Sequence, residues 1–311
     1  MMLKQKSLVV LALALFTSVA GARDLKSIGV TLGSLGNPYF VALTQGVEKE
    51  AKSINPTVKV IAVSADYDFA KQVNQIDNFI AAGTDLILIN AVDPQVIGAA
   101  VKKAQAAGVI VIAVDARADQ VDATVQTDNV QAGEIACAYI ADKLHEKGNV
   151  IIQNGPQLSG VTDRVNGCKS VFAKHPDIKI LSDDQNGKAS REGGLAVMQG
   201  LLTRFSKIDA MFAINDPQAV GSDLAIKQFG RRGLFITSVD GSPEVDAALR
   251  SGNSSIEASA SQNPFAIGQQ AVKVGYDIMN GKRPKSSVQL VPSTLVTKAN
   301  VSSYKGWTIQ P

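Results

Sequence analysis

Histidine and cysteine are nearly missing from this chain: two of each stand among 311 residues. His145 and His175 lie far apart with no partner at ligand spacing, so no metal centre is expected. Charge of one sign is scarce too. The formal net charge is +3, which argues against nucleic acid as the main partner. No apolar run approaches the roughly 20 residues that span a bilayer. Nucleotide and hydrolase signatures are also absent. Gly29, Gly33 and Gly36 have the wrong spacing for G-x-G-x-x-G and are followed by Asn37-Pro38, and neither G-x-S-x-G nor a Walker pattern occurs. There is no Pro/Ser-rich linker, charge block or short repeat, so any two lobes must be joined by strands rather than by a loose tether.

What is present begins with an export signal. Lys4 and Lys6 precede the apolar run Leu8 to Phe16, and Ala20-Gly21-Ala22 supplies small residues for cleavage before Arg23. The mature chain is therefore expected outside the cytoplasm, and no cysteine follows the cleavage point to carry a lipid. In that compartment the lone pair Cys137 and Cys168 is expected to form a disulfide; two small buried thiols are the alternative.

A length of 311 residues with 45% hydrophobic and 19% charged side chains suits a globular chain of two domains. Strands are expected at residues 27–33, 58–63, 85–90, 109–115 and 123–127, with amphipathic helices at 40–54, 69–82 and 94–107 between the first four. A long helix over 129–147 follows. The plan then repeats, with strands at 149–154, 178–182, 210–215 and 234–239 and helices at 162–174, 190–204, 217–229 and 243–251. A strand at 256–261, a helix at 264–280 and an extended stretch at 288–297 remain. They require the chain to cross back between halves. The fold class is α/β, with two similar Rossmann-like lobes built on parallel sheets and joined by a multi-strand hinge.

In such sheets ligands bind beyond the carboxyl ends of the strands. Those positions hold Asn37, Asn90, Asp115, Asn215-Asp216, Asp240 and Gln262, with Arg164 at a helix start. All are planar hydrogen-bonding groups, suited to sugar hydroxyls that both donate and accept. Tyr39 and Phe40 add aromatic faces for the C–H side of a sugar ring. Each residue alone has an ordinary use: Asn37 before Pro38 as a helix cap, Asp240-Gly241 as a turn, Phe40 as core. Their recurrence at one topological edge of both halves is what points to a binding cleft.

The segments Asn37-Pro-Tyr-Phe40, Leu86-Ile-Leu-Ile-Asn90, Thr127-Asp-Asn129, Arg164-x-x-Gly167, Asn215-Asp216, Val239-Asp-Gly241 and Gln262, in this order and spacing, resemble the ribose-binding branch of periplasmic sugar-binding proteins across the whole mature chain. The resemblance implies a type I periplasmic binding fold that closes on a monosaccharide or polyol and delivers it to an ABC permease in the inner membrane, with a chemoreceptor as a further partner. It implies no cofactor and no catalysis, and a monomer. It carries over Asn37, Tyr39, Phe40, Asn90 and Asp115 as ligand residues of the first lobe, Arg164, Asn215 and Asp240 of the second, and Gln262 at a crossover. Hinge strands would lie near 126–128, 260–262 and 291–293. The lobes would comprise 23–126 plus 262–291, and 127–261 plus 292–311, after a signal peptide at 1–22.

Two departures bear on the ligand. The pattern has Arg directly after Asp115, where this chain has Ala116 and then Arg117, whose side chain should point the other way in an extended segment. An aromatic of the second lobe would align near Ala189. Ribose is then one candidate among several. A furanosyl signalling compound uses similar polar groups and stays open as an alternative, as does an amino acid. A carboxylate hydrolase using Asp115, Asp216 and Asp240 is a weaker one, and a transcription regulator with this core would begin with a DNA-reading helix pair where this chain has its export signal.

Overall fold

The computed structural model describes residues 23–307; the expected leader over 1–22 lies outside them. The first half runs β1(Ser27–Leu32), α1(Pro38–Ile54), β2(Lys59–Ser64), α2(Phe69–Ala81), β3(Leu86–Ile89), α3(Gly98–Ala106), β4(Ile110–Val114) and β5(Ala123–Thr127). The second runs α4(Asn129–Lys143), β6(Gly148–Gln153), α5(Ser159–Phe172), β7(Ile178–Ser182), α6(Arg191–Arg204), β8(Ala210–Ala213), α7(Asp216–Gln228), β9(Phe235–Asp240), α8(Pro243–Ser251) and β10(Ile256–Ser261). Then come α9(Pro264–Met279), β11(Val288–Val291) and β12(Thr294–Thr297).

Two six-stranded sheets result, in the orders β11-β5-β4-β3-β1-β2 and β12-β10-β9-β8-β6-β7. Every pairing is parallel except β10 with β12. Central strands such as Leu86-Ile-Leu-Ile89 read as unbroken apolar runs because helices cover both faces of a parallel sheet. Each sheet forms its own core, around Leu43, Leu88 and Ile112 in one and Ile152, Phe212 and Val239 in the other. The chain passes between sheets three times, after β5, after β10 and after β11. The carboxyl ends of the two sheets therefore face each other across one cleft.

The extended stretch expected over 288–297 is two strands in different sheets, and the chain changes sheets at the crossing expected near 291–293. Pro292 cannot donate to a ladder, and the Ser293 N–H turns instead to Gln131 Oε1 at 2.8 Å. The helix expected to reach Lys147 stops at Lys143, because His145 and Glu146 take left-handed φ values of +50° and +62°. Trp307, placed by sequence with the second lobe, packs edge-on against Tyr39 in the first core and donates Nε1 to the Asp240 carbonyl at 2.9 Å. Among the described residues no helix is long and apolar enough to cross a membrane.

Cys137 on α4 and Cys168 on α5 are disulfide-bonded, closing a loop of 31 residues. The chain-entropy relation assigns such a loop about 3 to 4 kcal/mol. Urea unfolding of Cys137→Ser/Cys168→Ser beside the oxidised protein should show a loss of that size. Coincident midpoints would refute it.

Candidate functional site

The β1–α1 turn brings the first residues into the cleft. Pro38 pre-sets the first helical turn and Asn37 caps it, its Oδ1 accepting from Tyr39 N at 3.0 Å. The cap fixes the rings of Tyr39 and Phe40, edge to face at 5.5 Å, against the cleft floor. Burial, then the Asp115 carboxylate, raises the Tyr39 hydroxyl well above its usual range, so it remains a donor. It lies 3.4 Å from Gln262 Oε1.

Strand β4 ends in a tight turn. Asp115 has φ +63° and the Ala116 N–H returns to the Val114 carbonyl at 2.6 Å, a three-residue γ-turn of the strained kind. This turn aims the Asp115 carboxylate into the cleft and lays Ala116 on the wall. Arg117 leaves the pocket, as the sequence led us to expect, although the segment is not extended. Its guanidinium makes a bidentate pair with Asp163 of α5 at 2.6 and 3.0 Å, and its N–H donates to Ser159 Oγ at 2.7 Å. These contacts tie the lobes at the rim.

Behind Asp115 sits Asn90, fully buried. Its Nδ2 donates to Asp115 Oδ2 at 3.0 Å and to the Val114 carbonyl at 3.3 Å, and its Oδ1 has no partner. Asn90 does not line the cavity; it holds the carboxylate that does.

The second lobe contributes Arg164 from α5. Helices α4 and α5 meet at Gly133, where a Cβ would fall 2.0 Å from the Arg164 carbonyl, so only glycine lets α5 approach this closely. Arg164 Nε donates to Asn129 Oδ1 and Nη1 to the Ile214 carbonyl, both at 2.8 Å, and Nη1 lies 3.6 Å from Asp240 Oδ1. Asp240 receives Gln262 Nε2 at 2.7 Å and, more weakly, Asp216 N at 3.3 Å. Asn215 caps α7 with Oδ1 and donates Nδ2 to the Ala189 carbonyl at 3.2 Å.

Below them Asp216, fully buried, accepts from Ser238 Oγ at 2.5 Å, Ser259 Oγ at 2.7 Å and Ser242 N at 2.6 Å. It is committed to the scaffold, so the three carboxylates Asp115, Asp216 and Asp240 do not converge on one open point. Desolvation raises Asp115, and raises Asp240 well above the ordinary carboxylate value; Arg164 opposes both shifts.

These groups enclose a cavity of about 430 Å³, its mouth included. Asn37, Tyr39, Phe40, Asp115, Arg164, Asn215, Asp240 and Gln262 all line it, joined by Leu158, Val161 and Ile214 as an apolar wall. Ala189 lines it at the position where the resembled pattern has an aromatic, and the rings on the wall all come from the first lobe. One of them, Tyr67, escaped the sequence reading. It follows edge strand β2 at the same topological edge as the others, which was the available signal. Among the described residues no group of His, Cys, Asp and Glu is placed to hold a metal.

Residues 28–283 match the description of a periplasmic binding protein domain. The chain is 34% identical to a ribose import binding protein of Bacillus subtilis, over 87% of each chain. It is 32% identical to a xylitol-binding protein of Mycolicibacterium smegmatis, covering 91% of this chain and 80% of that one. A solved ABC transporter solute binding protein of Mycobacterium smegmatis with bound glycerol superposes at a TM-score of 0.84 and 26% identity, over 91% and 98% of the two chains.

Proposed function

This chain belongs to the periplasmic binding protein domain family, and we propose that it captures a monosaccharide or polyol between its lobes and delivers it to an ABC importer. The observation that carries this reading is the cavity between the lobes: amide, carboxylate and guanidinium groups from both lobes meet there beside aromatic rings. Hydroxyl-rich solutes need such paired donors and acceptors, and their C–H faces pack on rings. Its relatives bind ribose and xylitol, by their names. It binds its solute without transforming it.

Residues 23–126 with 262–291 form one moving body in this reading, and 127–261 with 292–306 the other, with Trp307 packed back on the first. One lobe takes the ligand first, and closure completes its hydrogen bonds and excludes water. Only contacts made better in the closed state can drive that closure, so ligand groups on opposite lobes, Asp115 and Asp240, are the couplers. The leader is cleaved near Ala22, the protein works as a periplasmic monomer, and the lobe tips meet the permease and a chemoreceptor.

Calorimetric titration of mature protein, refolded free of carried-over ligand, against pentoses, hexoses, polyols and amino acids tests the reading. Micromolar or tighter binding of a sugar or polyol is the expected result. Binding of an amino acid or a non-sugar furanosyl compound alone would overturn it.

A further inference from the structure

We infer that Tyr67 is a ligand-contacting wall that sets the size of the solute, restricting the site to tetritols, pentitols and pentoses and turning hexopyranoses away. This deepens the sugar-or-polyol reading and rests on it. The first observation is the backbone. Asp66 and Tyr67 have successive φ values of +53° and +57°. Left-handed backbone is disfavoured for an L-residue, and an aromatic side chain gains nothing locally to offset it. Asp66 is held there by Ser64 Oγ and Lys71, and the Tyr67 N–H is held by the Gly33 carbonyl at 3.1 Å. The surroundings thus enforce an unfavourable backbone, and the result is a ring turned into the cleft.

The second observation is the space made for that ring. A Cβ on Gly33 would stand 2.6 Å from Tyr67 Cε1 and 3.1 Å from Asn90 Oδ1. The bare glycine at the end of β1 therefore seats the phenol beside the residue that holds Asp115. The ring also packs against the core of the second lobe, so it bridges the cleft in the closed form. Asp115 and Asp240, from opposite lobes, both help to hold its hydroxyl protonated, after burial as the main cause.

The third observation is capacity. The cavity's roughly 430 Å³ includes its open mouth, so the space enclosed between the lobes is smaller still. Much of its polar equipment is already engaged: Asn37 and Asn215 cap helices, Gln262 serves Asp240 and Tyr39, and Arg164 is spent in part on Asn129 and Ile214. A hexopyranose adds an exocyclic hydroxymethyl group that needs both volume and a partner. Buried without a partner, that hydroxyl loses its hydration with nothing gained in return.

The experiment titrates wild type, Tyr67→Ala and Tyr67→Phe with erythritol, xylitol, ribose, glucose and galactose. Wild type should bind its best short ligand at least about 100-fold tighter than either hexose, the equivalent of about 2.8 kcal/mol. Tyr67→Ala should shrink that ratio at least about tenfold by gaining hexose affinity, a gain that an unfolded variant could not produce. Tyr67→Phe should keep the ratio. Hexose binding by wild type as tight as pentose binding, or an equal loss for every ligand in Tyr67→Ala, overturns the size role and leaves the sugar reading intact. Binding of no sugar or polyol by wild type overturns the reading and this inference together.

Discussion

Arg164→Ala is expected to lower ligand affinity by about 100-fold or more and to lower folding stability by about 3 to 5 kcal/mol. The guanidinium is buried, and its three engaged directions end on Asn129 Oδ1, the Ile214 carbonyl and the Asp240 carboxylate. Truncation strands two acceptors and leaves Asp240, already desolvated, without its cation. Both effects follow from that, because an uncompensated buried carboxylate is costly in the free protein and mispositioned for the ligand. Arg164→Lys should not restore affinity, since an ammonium cannot serve a side-chain amide, a carbonyl and a carboxylate in one plane. Titration and thermal melting of both variants provide the check. Affinity within a few-fold of wild type in Arg164→Ala would remove Arg164 from the site.

The legible parts of this protein are those where local chemistry and topology agree. Asn37-Pro38 reads as a cap followed by a first helical turn, and it is one, so Tyr39 and Phe40 could be placed at a cleft before any coordinates. Alternation of apolar runs with amphipathic helices gave two sheets, and the rule that parallel sheets bind at their carboxyl edge singled out Asp115, Asn215 and Asp240. What stayed hidden depends on tertiary geometry. Asp115-Ala116 has no glycine to advertise a γ-turn, yet that turn decides that Ala116 faces the ligand and Arg117 faces Asp163. Tyr67 lies three residues beyond a half-exposed edge strand, and only the seat at Gly33 explains its inward ring. The crossing at Pro292 came from the resemblance alone, because nothing local distinguishes one extended run from a run that changes sheets.

Ligand affinity should fall steeply as pH drops below neutrality, with the fall beginning above the ordinary carboxylate range. Asp115 and Asp240 both titrate above their usual value, for want of solvent, with Arg164 as the main opposing influence. Ligand hydroxyls donate best to ionised carboxylates, so protonation of either weakens binding. Below the raised values each proton taken up costs about tenfold in affinity per pH unit. The ligand-free protein moves the other way. A carboxylate raised on folding stabilises the fold below its unfolded value and loses that contribution as pH rises through its folded value, because the native state holds the extra proton. Above the raised values the empty cleft therefore carries two uncomfortable charges that ligand hydroxyls relieve. The rise in melting temperature caused by saturating ligand should be larger at pH 7 than at pH 4.5, and Asp115→Asn should flatten the slope of log affinity against pH. Affinity that is level between these pH values would show that neither carboxylate is used in its ionised form.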